Sequence, residues 1–159
     1  MTALIFVIGF AVLLFILPFL TKRRFGILAL ALGAGYLIST NWTGTVTPFI
    51  EQQGVVLVSP PLASVVATLL TLLPPIALLF NGPKYSDFWS RIIGSAAFTV
   101  LALAFLVGPI GQGLLLQGNS EQLVATLRQW QSVIIVVGLI AAVLDVMLYR
   151  PPKDKDKKK

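Results

Sequence analysis

Apolar residues run along this chain in five long blocks separated by short polar stretches. Within a block they follow neither the period of two of a half-buried strand nor the 3.6 of a surface helix. Each block approaches the roughly 20 residues that a helix rising about 1.5 Å per residue needs to cross a hydrocarbon layer of about 30 Å. The pattern predicts an all-α membrane protein, a polytopic bundle of about five transmembrane helices near residues 2–20, 25–42, 60–80, 92–112 and 132–149. Ahead of the last block, Asn119-Ser120-Glu121-Gln122 has the form of a capping box, and Leu123, Leu127 and Trp130 follow at helical spacing with Glu121 and Arg128 between them. These residues predict a short interfacial helix near 120–130, lying along the membrane surface. Residues 1–149 thus form one membrane domain with no stretch left for a separate soluble one.

Breakers refine the boundaries. Pro60-Pro61 suit a helix start, where the missing amide hydrogens have no intrahelical partner in any case. Asn81-Gly82-Pro83 is a turn signal, and Gly108-Pro109-Ile110-Gly111-Gln112-Gly113 predicts a kink or an early stop in the fourth helix. The segment from Arg150 to Lys159 has two prolines, six basic residues and nothing apolar to bury, so 150–159 reads as a disordered basic cytoplasmic tail.

Charge orients the bundle. Threading the five blocks alternately places every Lys and Arg except Arg128 on one side, which the positive-inside rule makes cytoplasmic, with the amino end outside. Lys22-Arg23-Arg24 follows the first block rather than preceding it, the reverse of a cleaved signal peptide, so the first helix is expected to be retained. A re-entrant fourth block would carry the Lys-rich tail outside, against about 1 kcal/mol of attraction per basic residue to an anionic leaflet. The net charge of +6 lies in short loops and the tail with no aromatic interleaving, so anionic lipid head groups, not nucleic acid, are the expected partners. Lys22, Arg23, Arg24, Lys153, Lys155, Lys157, Lys158 and Lys159 are the candidate head-group ligands.

Candidate chemistry is sparse. With no His and no Cys, haem or zinc ligation and thiolate nucleophiles are excluded, every Lys falls in an inner loop or the tail, and the acids are scattered. No cofactor, metal site or catalytic residue is expected. Asp145 is the one ionisable side chain within an apolar block. An acid at the bilayer centre costs roughly 2.5–3.5 kcal/mol, yet Asp145 lies close enough to Arg150 to sit near the inner interface. Pairing with Arg91, Arg24 or Lys22 is expected, Arg91 first; a proton relay or ion site is the alternative. Pro74-Pro75 frees the carbonyls of Leu70 and Thr71, and Ser64, Thr68, Thr71 and Pro75 share one face whose hydroxyls can bond to carbonyls one turn earlier. That face reads either as a polar, hinged lining or as a fixed kink with self-satisfied hydroxyls. Ala29 with Gly33, Ala31 with Gly35, Ala104 with Gly108, and Gly138 with Ala142 are spaced for close helix packing.

Arg23-Arg24-Phe25-Gly26 after the first helix, Gly33 and Gly35 along the second, and Arg91-Ile92-Ile93-Gly94-Ser95-Ala96-Ala97-Phe98 opening a later one resemble the colicin V production protein family of small bacterial membrane proteins. The likeness spans about residues 1–107; the family's further Gly and Arg-Gly pair are replaced by Thr99, Val100, Leu101 and Ala102, and the fifth helix and Lys tail depart from its usual four helices. The resemblance implies a bacterial inner-membrane protein without an established enzymatic activity. The expected function is an integral inner-membrane scaffold or accessory subunit, not an enzyme, with lipids, copies of itself or a larger membrane complex as partners. The alternative is a small-solute channel or transporter component lined by Ser64, Thr68, Thr71 and Pro75, with Gly108–Gly113 as an outer gate.

Overall fold

A computed structural model describes residues 2–55, 57, 60–81, 85, 87–113 and 119–148 of the chain. Lys84 and the tail at 150–159, with its candidate ligands Lys153, Lys155, Lys157, Lys158 and Lys159, lie outside them. The described residues form five helices and no strand: α1 (Thr2–Thr21), α2 (Phe25–Gln52), α3 (Leu62–Asn81), α4 (Phe88–Gly113) and α5 (Asn119–Met147). Four stretches are long and apolar enough to cross a membrane, Phe25–Gln52, Leu62–Phe80, Phe88–Pro109 and Arg128–Met147, and α1 adds the shorter apolar run Val7–Thr21.

Two boundaries differ from expectation, for one reason: apolarity marks where a helix can meet lipid, whereas a helix continues as long as its backbone hydrogen bonds do, and α2 runs on through Gly44 and Pro48. The second helix passes Trp42 and reaches Gln52, about 42 Å of rise for its 28 residues. Around the end of the apolar run, the side chains of Thr40, Asn41 and Thr43 bond back to the carbonyls of Leu37 and Ser39 at 2.6–3.0 Å. Gly54, at φ +86°, stops the helix in a left-handed cap, with the Gln53 and Gly54 amides donating to Ile50 and Glu51 at 3.0 Å. The separate interfacial helix near 120–130 is not formed. Residues 119–147 are one straight-through element, because no Pro or Gly interrupts Ser120–Val137 and only the side-chain character changes along it. The fourth helix runs through Pro109 to Gly113, close to its expected end near residue 112, so of the two alternatives at that segment, a kink or an early stop, the early stop does not occur.

α2 and α4 hold the centre. α3 packs most extensively on α2 and also meets α4, α1 lies on α4, and α5 lies against both α2 and α4. The core gathers Leu28, Ala29 and Leu32 from α2, Phe98, Leu101, Ala102 and Phe105 from α4, and Ala142 from α5. Leu37, Leu69, Leu73, Ile93, Val136 and Ile140 point outward instead.

Small residues set the close approaches. Gly33 abuts Leu139, and a Cβ on Gly138 would stand 2.7 Å from Leu101 Cδ1. Ala29 and Ala142 have no exposed surface. Gly35 presses on the Thr71 carbonyl, with a Cβ there 2.9 Å from the Thr71 carbonyl carbon and 3.0 Å from Pro74 Cδ. That carbonyl is one whose helical partner Pro75 removes, so the proline pair and the glycine form one joint. The Ala104 and Gly108 pair contributes no such contact at Gly108, where a Cβ would meet nothing within 4 Å.

Gly35→Ala is expected to destabilise the protein by about 1–3 kcal/mol, since the obstacle is backbone that cannot rotate away. Gly44→Ala, in open space within the same helix, is expected to be neutral or to stabilise by up to about 1 kcal/mol. Thermal unfolding of both variants in detergent checks the contrast.

Candidate functional site

Five helix ends converge at one end of the bundle: the carboxyl ends of α1, α3 and α5 and the amino ends of α2 and α4. Each carboxyl end leaves carbonyls and each amino end leaves amides without an intrahelical partner. The α1–α2 connection is only Lys22-Arg23-Arg24, too short to cap both of its helices. α1 closes on itself, with Lys22 in the left-handed region at φ 58° and the Arg23 amide donating to Pro18 at 3.3 Å. Thr21 Oγ1 donates to Leu17 at 2.8 Å.

The remaining groups are satisfied across helices. Arg23 donates through Nε to the Leu79 carbonyl at 2.7 Å, and through Nη2 to that of Phe80, at the end of α3. Arg91 Nη2 donates to the Phe19 carbonyl of α1 at 2.7 Å, its guanidinium carbon 4.6 Å from the Phe19 ring centroid. Arg24 stands at the N-cap of α2 with no capping side-chain bond of its own. Its Nη2 meets Asp145 Oδ1 at 2.7 Å and the Asp145 carbonyl at 3.3 Å. The other carboxylate oxygen of Asp145 accepts from the Gly26 amide at 3.0 Å, and the Tyr85 hydroxyl accepts from the Phe25 amide at 3.2 Å. α2 is therefore capped by residues from α5 and from the α3–α4 connection. The Asp145 carboxylate meets the amino end of α2, and the guanidinium groups of Arg23 and Arg91 meet the carboxyl ends of α3 and α1, the favourable sign for each of those helix dipoles.

This corrects the expected pairing of Asp145 with Arg91. α5 lies along α2 and α4, so Asp145 faces the N-cap of α2, while Arg91 is on the side of α4 that covers α1. The carboxylate is mostly buried, with 20% of its side chain exposed against 16% for Arg24. Glycine is needed at two positions here. A Cβ on Gly26 would stand 2.6 Å from the Ala142 carbonyl and 2.8 Å from Asp145 Oδ2, and one on Gly94 would stand 2.9 Å from the Tyr85 ring. Tyr85 is held three ways, by Gly94 beneath its ring, by its own amide donating to the Lys22 carbonyl at 2.7 Å, and by Arg24 5.3 Å from its ring centroid. Burial raises the phenol above the ordinary tyrosine range, against the pull of the Phe25 amide, so it serves as a neutral hydroxyl.

The second candidate region is the α2–α3 seam. Ser64, Thr71 and Pro75 are buried and Thr68 and Pro74 half-buried, so this face does turn into the bundle. Thr68 Oγ1 donates to Ser64 and Thr71 Oγ1 to Ala67, both at 2.8 Å. Opposite, Ser39 Oγ donates to the Ala67 carbonyl at 3.0 Å and lies 3.4 Å from Thr43 Oγ1. Ser64 Oγ and Thr47 Oγ1 are buried without a partner. Sequence reasoning missed Ser39, Thr43 and Thr47, whose spacing of four on one helix face was the available signal. It also missed the capping of α2 by Tyr85 and Asp145, for which the signal was a helix start with no Ser, Thr, Asp or Asn at its N-cap.

No cluster of carboxylates able to hold a metal ion occurs among the described residues. Compared with known proteins, the chain matches no family model, no curated protein and no solved structure.

Asp145→Ala is expected to cost about 2–4 kcal/mol, because it strands both the Arg24 charge and the Gly26 amide in a largely buried setting. Asp145→Asn keeps an acceptor for the amide and should cost about half as much. In a double-mutant cycle with Arg24→Gln, unfolding in detergent should give a coupling energy of at least about 1 kcal/mol.

Proposed function

We propose that this protein is an integral membrane scaffold or accessory subunit of five crossings, non-enzymatic, with its amino end outside and its carboxyl end cytoplasmic. One observation carries the reading: the ionisable side chains drawn between helices, Arg23, Arg24, Arg91 and Asp145, all bind helix-end backbone groups and so hold the bundle together. The outward Leu, Ile, Val and Phe side chains along four spanning-length helices are in keeping with lipid contact. α1, with 20 residues, rises about 30 Å and can make the fifth crossing.

Orientation rests on charge. The convergent end holds Lys22, Arg23, Arg24 and Arg91, and the positive-inside rule makes it the cytoplasmic end. Lys22 adds weight to this. It occupies a left-handed position that glycine fills with less strain, so its charge rather than its backbone preference suits the site. The residues behind the likeness to the colicin V production family, Arg23–Gly26 and Arg91–Gly94, are those that tie helix ends together or receive Tyr85. This favours treating them as elements of assembly. Partners under this reading are anionic lipids on the cytoplasmic side and copies of the chain or a larger membrane protein.

A second reading, a small-solute channel or transporter component, draws on the buried, unpartnered hydroxyls of Ser64 and Thr47 in the α2–α3 seam. Against it, Thr68, Thr71 and Ser39 bond to helix carbonyls, and Gly35 closes on the carbonyl that the proline pair frees.

The chain lacks native cysteine, so single introduced cysteines report sidedness directly. A membrane-impermeant thiol reagent applied to intact cells should label Thr45→Cys and spare Asp87→Cys until the membrane is opened; the opposite pattern would reverse the orientation. Proteoliposomes should show no solute flux above protein-free vesicles, whereas a flux altered by Thr71→Leu would move the conclusion to the channel reading.

A further inference from the structure

We propose that Arg91, with the aromatic side chains around it, forms a discrete binding site for the phosphate of an anionic phospholipid at the convergent end of the bundle. The inference rests on the membrane reading above. It adds a particular site, at a residue that sequence reasoning assigned to Asp145.

The arginines at this end are used differently. Arg24 meets the Asp145 carboxylate, and Arg23 donates from both Nε and Nη2 to the end of α3. Arg91 donates from Nη2 to the Phe19 carbonyl, its Nε is buried with no acceptor, and no described carboxylate forms an ion pair with it. Asp87, one turn earlier on the same element, is exposed and receives the Arg91 amide on its carbonyl rather than the guanidinium on its carboxylate. A guanidinium held by a carbonyl and a ring keeps its full charge, which no carboxylate among the described residues pairs with.

The surroundings select the class of acceptor. Phe19 and Phe88 pack edge to face at 6.0 Å, and Phe88 and Trp89 at 6.4 Å. Phe88 is 57% and Trp89 73% exposed, so the cation borders an open aromatic surface at the start of α4. Aromatic side chains of this kind sit at head-group depth, where one side meets acyl chains and the other meets water. Lys22 and Arg23 add positive charge at the same end, where among the described residues only Asp87 stands against them, since Asp145 is answered by Arg24. A phosphate whose charge is not balanced within its own head group is favoured there over a zwitterionic one.

The test uses the full chain in detergent micelles, titrated separately with phosphatidylglycerol, phosphatidylcholine and glycerol phosphate and read by native mass spectrometry and thermal shift. Phosphatidylglycerol should bind and raise Tm, with the other two well below it. Arg91→Gln should bind phosphatidylglycerol roughly fivefold more weakly, the share of one basic residue near an anionic surface, while Arg128→Gln at the far end of α5 should bind as the parent does. Trp89→Ala, whose side chain is largely outside the packed core, should weaken binding in the same direction and decides the matter if Arg91→Gln does not fold. Equal affinity for both lipids, an equal response to glycerol phosphate, or parent-like binding by Trp89→Ala or a folded Arg91→Gln would each overturn the site. Alkaline carbonate extraction of native membranes separates this from the underlying reading: release of the chain without detergent would refute membrane embedding, and retention with no lipid selectivity would refute the site alone.

Discussion

A helix cannot satisfy its own ends, and here the ends of five helices are brought to one place by connections that offer few caps. Arg23, Arg24, Arg91, Tyr85 and Asp145 resolve this by each reaching a helix other than its own or a neighbouring connection. The consequences run outward from there. The Lys22–Arg24 turn between α1 and α2 is possible because Arg91 takes up a carbonyl of α1 and Tyr85 and Asp145 take up amides of α2. α5, which buries little along its length, is held at its carboxyl end by a carboxylate that bonds both Arg24 and the start of α2.

Below that end, the helices meet through absences of side chain. Gly26 and Gly33 receive α5, Gly35 receives α3, and Gly138 receives Leu101 of α4. In a bilayer the hydrophobic effect does not distinguish a helix neighbour from a lipid tail, so close backbone approach and polar ties have to supply the association. The Pro74-Pro75 pair fits the same scheme. It frees a carbonyl at Thr71, and Gly35 lets α2 close on that carbonyl instead of leaving it to solvent or solute.

Two functions of charge therefore coincide at one end. Basic residues suit the cytoplasmic side of a membrane, and their guanidinium groups are also the donors that helix carboxyl ends lack. Arginine serves both better than lysine, having several donors in a fixed fork and a face that stacks on aromatic rings, as Arg91 does on Phe19 and Arg24 on Tyr85. Polar chemistry in this molecule is concentrated where it organises the bundle, which is the physical basis for reading it as a scaffold.

Much of the architecture was legible in the residues themselves. Long apolar blocks specify helices of spanning length, the basic run Lys22–Arg24 and the turn signal beginning at Asn81 separate them, and spacing puts Ser64, Thr68, Thr71 and Pro75 on one face, because such features depend only on neighbours along the chain. Helix ends were less legible, since α2 continues beyond its apolar run and through Pro48, and α5 begins well before its own. The partner of Asp145 was not decided by sequence at all: Arg24, Arg91 and Lys22 are equivalent as cations and all near the same end. Only the packing of α5 along α2 and α4 selects Arg24, directs Arg91 to α1 and brings the Tyr85 hydroxyl to the Phe25 amide, because each choice depends on which helix faces cross in space, at separations of 60 to 121 residues along the chain.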